Sequence, residues 1–324
     1  MMSKIEQLRK IIDDVNADPN SASGKIVFFG GAGVSTESGI PDFRSESGLY
    51  KAKQEYGRSP EEMISHSFFM RNPETFYKYY KNNMVYADAQ PNAAHYKLAE
   101  LEAQGKLSAI VTQNIDGLHQ KAGSKNVYEL HGSVLRNYCL QCGKKFDLEY
   151  VMNPDHCVDD ISKGPAMRDA IRNAIYDEKS DSSANGQKIN DHSACDVNPI
   201  TPKNRDKSDF EEDTAHGSNH RLQSEHFQSG HVPICDNCGG MVRPDVVLYE
   251  EGLDGPTINA AVKAISEASV LIVGGTSLVV YPAASFVTYF RGSHIVLINK
   301  GETSFDRNAD LVIHESIGEI LGAL

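Results

Sequence analysis

No apolar run in this chain of 324 residues approaches the length of a membrane span. Basic residues are in deficit, with 32 Lys and Arg against 44 Asp and Glu for a net charge of -12. That balance argues against direct, non-specific nucleic-acid binding and against residence on an anionic membrane surface. The N-terminal stretch MMSKIEQLRKIIDDV lacks the apolar core of a signal peptide, and its Glu6, Asp13 and Asp14 are foreign to transit peptides. It reads instead as an amphipathic helix with Ile5, Leu8, Ile11, Ile12 and Val15 on one face. A cytoplasmic protein is the expectation, and its six cysteines are read in that reducing context.

What the chain does have is concentrated at the ends of short apolar runs. Lys25-Ile26-Val27-Phe28-Phe29 predicts a strand buried on both faces, as in a parallel sheet. Gly30, Gly31 and Gly33 follow, so the backbone can turn tightly and present N–H groups to a phosphate. Thr36 stands where the ordinary dinucleotide fingerprint has a third glycine, so the alternative is a plain strand-to-helix turn. Leu107 to Val111 predicts a second buried strand, running into Thr112-Gln113-Asn114-Ile115-Asp116-Gly117. Amides and a carboxylate at a strand end mark a ligand site, unless Asn114 or Asp116 merely caps the next helix. Val127 to Leu130 is another short strand, ending in His131-Gly132.

Further strands are expected at 269–273, 294–298 and 309–313, and helices at 91–105, 256–268 and 282–290. The strand at 269–273 ends in Gly274-Gly275-Thr276-Ser277, a second glycine-plus-hydroxyl turn. Residues 48–90 carry an aromatic stripe read as helical core, with one wall of an apolar substrate groove as the alternative. Arg243 to Glu251 is extended and partly apolar, a strand or an edge for peptide pairing.

Cys139-x-x-Cys142 and Cys235-x-x-Cys238, the second followed by two glycines, have the spacing of a structural four-thiolate zinc site. Thiol redox chemistry is the rival reading. Between the knuckles lie 92 residues, where a ribbon needs roughly 15 to 20. A helix fits 164–176, and the polar remainder from about 150 to 231 is read as a surface insertion without a stable core.

Taken together, GAGVSTESGIPDFRS at 31–45, TQNIDGLHQKAG at 112–123, HG at 131–132, the paired CxxC, GTS at 275–277 and INK at 298–300 resemble the sirtuin family of NAD-dependent protein-lysine deacylases. The resemblance implies an α/β fold, a Rossmann-like doubly wound parallel sheet with a small inserted zinc-ribbon module. Its first part would be 1–134, with a helical groove segment at about 48–90. The module would be 135–242, and the second part 243–324. It implies a transferase that removes acetyl groups from lysine, yielding nicotinamide and O-acetyl-ADP-ribose, with NAD and one structural Zn²⁺.

Site roles follow from the same resemblance. Gly31, Ala32, Gly33 and Thr36 would cradle the NAD phosphates, with Phe43 and Arg44 near the nicotinamide ribose. Gln113, Ile115 and Asp116 would line the nicotinamide pocket, with Asn114 on the ribose side. Gly275, Thr276 and Ser277 would bind phosphate and ribose, Asn299 and Lys300 the adenosine ribose region, and Ile317 the adenine. His131 would be the general base, with Asn114 and Asp116 as its catalytic companions. Val246, Val247, Leu248 and Tyr249 would pair with an acetylated peptide.

Two departures from the family pattern carry meaning. No arginine occurs between Arg71 and Arg136, so the Tyr-x-x-Arg clamp of succinyl-preferring members is missing. Tyr249-Glu250-Glu251 replaces the common Phe-Gly-Glu and hints at basic peptides. The competing readings are a mono-ADP-ribosyltransferase, a deacylase for other short chains, a nicotinamide dehydrogenase, and a zinc-ribbon binding module without catalysis. Oligomeric state is left open, and a monomer is compatible with the sequence.

Overall fold

A computed structural model of the chain describes residues 2–15, 25–42, 53–158 and 232–324. The predicted helix at 164–176 and most of the expected insertion lie outside the described residues, as do Phe43 and Arg44. Within them, α1 (Lys4–Asp13) opens on a reciprocal cap between Ser3 and Glu6. Strand β1 (Ile26–Gly30) follows. Helices α2 (Pro60–Met63), α3 (His66–Arg71), α4 (Pro73–Asn83) and α5 (Ala93–Ala103) lead to β2 (Leu107–Thr112). Then come α6 (Leu118–Lys121) and β3 (Val127–Glu129).

The small module comprises β4 (Gly132–Cys139), β5 (Lys145–Asp147), α7 (Leu148–Met152), β6 (Cys157–Val158), β7 (Val232–Pro233) and β8 (Val242–Val246). The chain closes with α8 (Gly255–Glu267), β9 (Val270–Gly274), a 3₁₀ stretch Ala283–Tyr289, β10 (His294–Ile298), β11 (Leu311–Ile313) and α9 (Ile317–Gly322).

The large sheet has the order β11-β10-β9-β1-β2-β3, with every pairing parallel. Alternation along its strands loads both faces. Ile26, Phe28, Ile110, Ile272 and Val296 pack with Leu8, Leu98 and Ile320 on one side. Val27, Phe29, Val111, Leu271 and Leu297 pack with Ile265 and Phe286 on the other. Each such side chain contributes about 1.5–3 kcal/mol of burial, which is why the predicted strands appear within a residue or two of the expected bounds. The strand order reverses direction between β1 and β9, and in such sheets a crevice opens at that point, outside the carboxyl ends.

The aromatic stripe forms a third cluster. Phe69, Phe76, Tyr77 and Tyr80 are buried against Val134, Val242 and Val246 of the antiparallel β5-β4-β8 sheet. Tyr77 Oη donates to the Val242 carbonyl.

Three expectations need correction. Residues 150–158 belong to the module's framework, because Val151 is fully buried and Tyr150 Oη donates to the Ile234 carbonyl at 2.8 Å. Residues 282–290 hold a 3₁₀ stretch where an α-helix was expected. The extended run at 243–251 stops at β8 and then turns, with the Glu251 N–H on the Leu248 carbonyl at 3.1 Å.

Under the loops, His95 of α5 and His119 of α6 stack with ring centroids 4.8 Å apart. Both are almost wholly buried, and both His119 nitrogens and His95 Nε2 have no hydrogen-bond partner among the described residues. Burial pushes His119 down to about 3 and also lowers His95, although Asp116 and Glu37 pull the latter back. Both imidazoles are therefore neutral when folded. The unfolded chain binds more protons below the ordinary value of 6.5, so their stabilising contribution is complete above that pH and fades as pH falls. We expect urea unfolding to show stability falling from pH 7 to pH 5, and His119→Phe to flatten the slope by about 1 kcal/mol per pH unit below 6. An unchanged slope in the variant would contradict this assignment.

Candidate functional site

At the switch point the two glycine turns meet backbone to backbone. Gly33 N–H donates to the Gly275 carbonyl at 2.8 Å, and Gly31 N–H to the Gly274 carbonyl at 3.3 Å. A Cβ on Gly33 would sit 2.8 Å from Gly275 Cα, and Gly275 has φ +59°, a left-handed conformation suited to glycine. Gln113, at the end of β2, joins the pair. Its N–H donates to the Gly30 carbonyl at 3.0 Å and its Nε2 to Thr276 Oγ1 at 3.1 Å.

Above these turns lies a cavity of about 740 Å³. Gly31, Ala32, Gln113, Asn114, Ile115, Asp116, His131, Gly275, Thr276, Ser277 and Val246–Tyr249 all line it. The remaining predicted contacts sit differently. Gly33 lies beneath the turn against Gly275, and Thr36 turns its hydroxyl back to the Gly33 carbonyl at 3.0 Å. Asn299, Lys300 and Ile317 lie further along the same carboxyl edge, outside the cavity's lining. There Asn299 N–H donates to the Ile313 carbonyl at 3.0 Å, and Ile317 is buried beside Gly274.

Ser35, absent from the predicted set although inside the quoted motif, organises the polar floor. Its hydroxyl donates to Asp116 Oδ2 at 2.6 Å and accepts from Asn114 Nδ2 at 3.0 Å. Asp116 Oδ1 also accepts the Leu118 N–H at 2.9 Å, the turn cap that was the alternative reading of this residue.

His131 follows β3 and precedes β4. Its Nδ1 lies 2.9 Å from the Gln113 carbonyl, an acceptor only, so Nδ1 carries the proton and Nε2 keeps its lone pair. Burial lowers its pKa more than that carbonyl raises it. The imidazole is neutral near pH 7 and able to take a proton through Nε2.

The opposite wall comes from the 48–90 segment, where a groove wall was the alternative reading of the aromatic stripe. Ile64, Tyr79, Asn82, Asn83, Met84 and Tyr86 line the cavity from the helical segment. Most of the stripe is core, and only its end near Tyr79 to Tyr86 faces the ligand space. Among the described lining residues of this cavity there is no Lys or Arg.

The stretch 246–251 is bolted in place. Val247 N–H donates to the His131 carbonyl at 3.0 Å and Tyr249 N–H to the Ile64 carbonyl at 3.1 Å. Glu251 accepts the Leu248 N–H at 2.9 Å and holds Arg243 through both oxygens, at 2.8 and 3.0 Å, with His66 Nδ1 at 2.7 Å. Arg243 itself is buried between the rings of Phe69 and Tyr138. A paired, doubly hydrogen-bonded guanidinium of this kind is among the stronger polar contacts. The sulfurs of Cys139, Cys142, Cys235 and Cys238 all lie within 4.8 Å of one another, with Cys139–Cys238 at 3.4 Å and Cys142–Cys235 at 3.6 Å. Four thiolates about 2.3 Å from one tetrahedral zinc would stand roughly 3.8 Å apart, so the cluster fits that ion.

The family model described as Sir2 family matches residues 31–198 and 210–282. An NAD-dependent protein deacetylase of Clostridium acetobutylicum is 48% identical over 321 residues, covering 99% of this chain and 98% of its own. One from Staphylococcus aureus is 34% identical over 324 residues, covering 100% and 99%. Among solved structures, a Sir2 complex with p53 peptide and NAD⁺ aligns at a TM-score of 0.64 and 30% identity over 98% of this chain and 96% of that one. A Sir2 variant with a deacetylated p53 peptide and 3′-O-acetyl ADP-ribose aligns at 0.66 and 31%, with the same coverage.

The thiolate cluster makes a direct prediction. Metal analysis of the purified protein should find one zinc per chain, and Cys235→Ser should lose it together with a cooperative unfolding transition of the module. A metal-free protein carrying a disulfide, two mass units lighter than the dithiol, would instead favour redox chemistry.

Proposed function

Because the chain belongs to the Sir2 family, we infer that it is an NAD-dependent protein deacetylase that removes acetyl groups from lysine and yields nicotinamide and O-acetyl-ADP-ribose. The observation that carries the reading is the convergence on one cavity of two glycine turns, the Asn114–Ser35–Asp116 floor and a neutral His131. NAD, when bound, supplies an electrophilic ribose carbon once its bond to nicotinamide breaks.

The chain's own residues hold, orient and move protons. Ala32, Thr276 and Ser277 offer N–H and hydroxyl groups to the phosphates and riboses, while Gly31 and Gly275, whose N–H groups stay on the Gly274 and Ile298 carbonyls, let that backbone approach closely. Gly33 and Thr36 support the turn from beneath. Gln113, Ile115 and Asp116 bound the nicotinamide pocket, with Asn114 on the ribose side. Phe43 and Arg44 are assigned to the nicotinamide ribose, and Asn299, Lys300 and Ile317 to the adenosine end, on the resemblance of their motifs. His131 Nε2 takes the ribose hydroxyl proton while its Nδ1–H stays on the Gln113 carbonyl, so the ring keeps one tautomer and one orientation.

The acetylated peptide lies along Val246 to Tyr249. Several N–H groups of this stretch are already engaged within the chain, so the peptide pairs chiefly by donating its own N–H groups to carbonyls such as that of Val247. The wall of Ile64, Tyr79, Asn82, Asn83 and Met84 favours a short neutral acyl group, since a carboxylate-tipped chain would be desolvated there without a cation. Other short acyl chains and mono-ADP-ribosyl transfer are the secondary readings. We divide the chain at 134 and 242, with the zinc module between two parts of the Rossmann-like domain. We place it in the cytoplasm, where thiolates stay reduced for zinc, and among the described residues no helix is long and apolar enough to cross a membrane.

His131→Ala should lower deacetylation of an acetyl-peptide by about a hundredfold or more while zinc content and the unfolding transition stay in place. In the wild type the acid limb of kcat/KM should fall below the ordinary histidine value of 6.5, because burial preserves the neutral ring to lower pH. Undiminished turnover by the variant would remove the mechanism. Label from NAD found covalently on protein, without acetyl loss, would favour ADP-ribosyl transfer.

A further inference from the structure

Glu250 and Glu251 are neighbours in sequence but have opposite fates. Glu251 is neutralised by Arg243, with His66 against the same oxygen, and its carboxylate turns inward to fix the Leu248 N–H. Glu250 is exposed and meets only neutral donors, with Oε2 accepting the Ser67 N–H at 2.8 Å and Oε1 the Ser67 hydroxyl at 2.9 Å. Those bonds, with smaller contributions from the charges of His66 and Arg71, keep its carboxyl below the usual range, so it is ionised near neutrality. They also hold it in one place, unlike an ordinary surface glutamate.

The backbone adds a second observation. Glu250 has φ +79°, a left-handed conformation that strains a residue with a Cβ and costs a glycine almost nothing. The carboxylate is thus carried at a position where glycine would be easier.

Its placement supplies the third. Tyr249 and Glu250 form the wall shared by the main cavity and a side cavity of about 540 Å³. The other charges facing that side cavity are Arg58, which pairs with Glu62, then Glu61, and Arg71, whose Nε donates to the Ser67 carbonyl at 2.9 Å. With Glu250 these are three acids against two arginines, and Glu250 is the acid that also faces the peptide groove.

We propose that Glu250 is a specificity-determining residue: its anchored carboxylate, where the peptide groove opens into the side cavity, favours substrates with Lys or Arg within about two residues of the acetyl-lysine. The proposal rests on the deacetylase reading above and names a substrate class for it.

The test uses the full-length zinc-loaded enzyme with NAD and acetylated peptides differing at one flanking position, filled in turn by Arg, Gln or Glu. In the wild type, kcat/KM should favour Arg over Gln by about three- to tenfold at the responsive position, fading as salt rises from about 0.05 to 0.5 M. Glu250→Gln and Glu250→Gly should each bring the ratio to about one, and Glu250→Lys should turn the preference toward Glu. Glu250→Gly should also raise or preserve the unfolding midpoint, since it relieves the left-handed backbone. A ratio unmoved by these variants, or a fall in the midpoint of Glu250→Gly with no change in ratio, would reduce Glu250 to a turn fastener and overturn the proposal. Uniform deacetylation of all wild-type substrates would overturn it while sparing the deacetylase reading. Failure of every acetylated peptide would remove both.

Discussion

Two backbones in contact without side chains between them set the geometry of this molecule. Gly31 and Gly33 after β1 meet Gly275 after β9, and a Cβ on Gly33 would be within 3 Å of backbone. That contact sits where the strand order reverses, so the ends of two adjacent parallel strands form one floor. Gln113 ties the next strand into it through Thr276 and the Gly30 carbonyl. The polar groups of β2 and the imidazole after β3 then face the same space because the sheet brings their strand ends side by side.

Strand β4 carries the geometry outward. It begins beside His131 and ends at the zinc knuckle with Cys139, and its antiparallel partner β8 runs from the other knuckle to Val246. The stretch proposed to dock the peptide therefore continues a strand pair whose far end carries the four thiolates. The Arg243–Glu251 pair fastens its far side, and the Val247 N–H on the His131 carbonyl links it to that histidine. Closed thiolate coordination and a buried guanidinium fix a groove wall while leaving the reacting atoms to other residues. The zinc site is structural for that reason.

Much of this was legible because it is local. Apolar runs such as Ile26–Phe29 and Leu271–Val273 can only be buried strands in so polar a chain, and their glycine ends announce a ligand edge. The cysteine spacing announces its ligand set equally well. Features built by distant partners were not legible. Ser35 had no assigned role in the sequence, because its role depends on Asp116 and Asn114 about eighty residues away. Thr36, an expected phosphate contact, spends its hydroxyl on Gly33 three residues earlier. Residues 150–158 read as the start of a polar insertion, yet Tyr150 stacks on His156 at 3.8 Å and holds Ile234 from across the 92-residue gap. Strand β4 shows no clean alternation, since its register on β8 shifts between Ser133 and Asn137, and Leu135 and Arg136 face outward there. Glu250 and Glu251 are the sharpest case, identical letters whose roles depend on Arg243 and Ser67.

The central claim is that this cavity couples cleavage of NAD to removal of a lysine acetyl group. Its most direct test is the product stoichiometry of the purified enzyme with an acetylated peptide and NAD, resolved by mass. The account predicts that each acetyl lost from lysine appears as one O-acetyl-ADP-ribose with one nicotinamide released. Free acetate with NAD intact, or reduced nicotinamide cofactor with the peptide still acetylated, would contradict it.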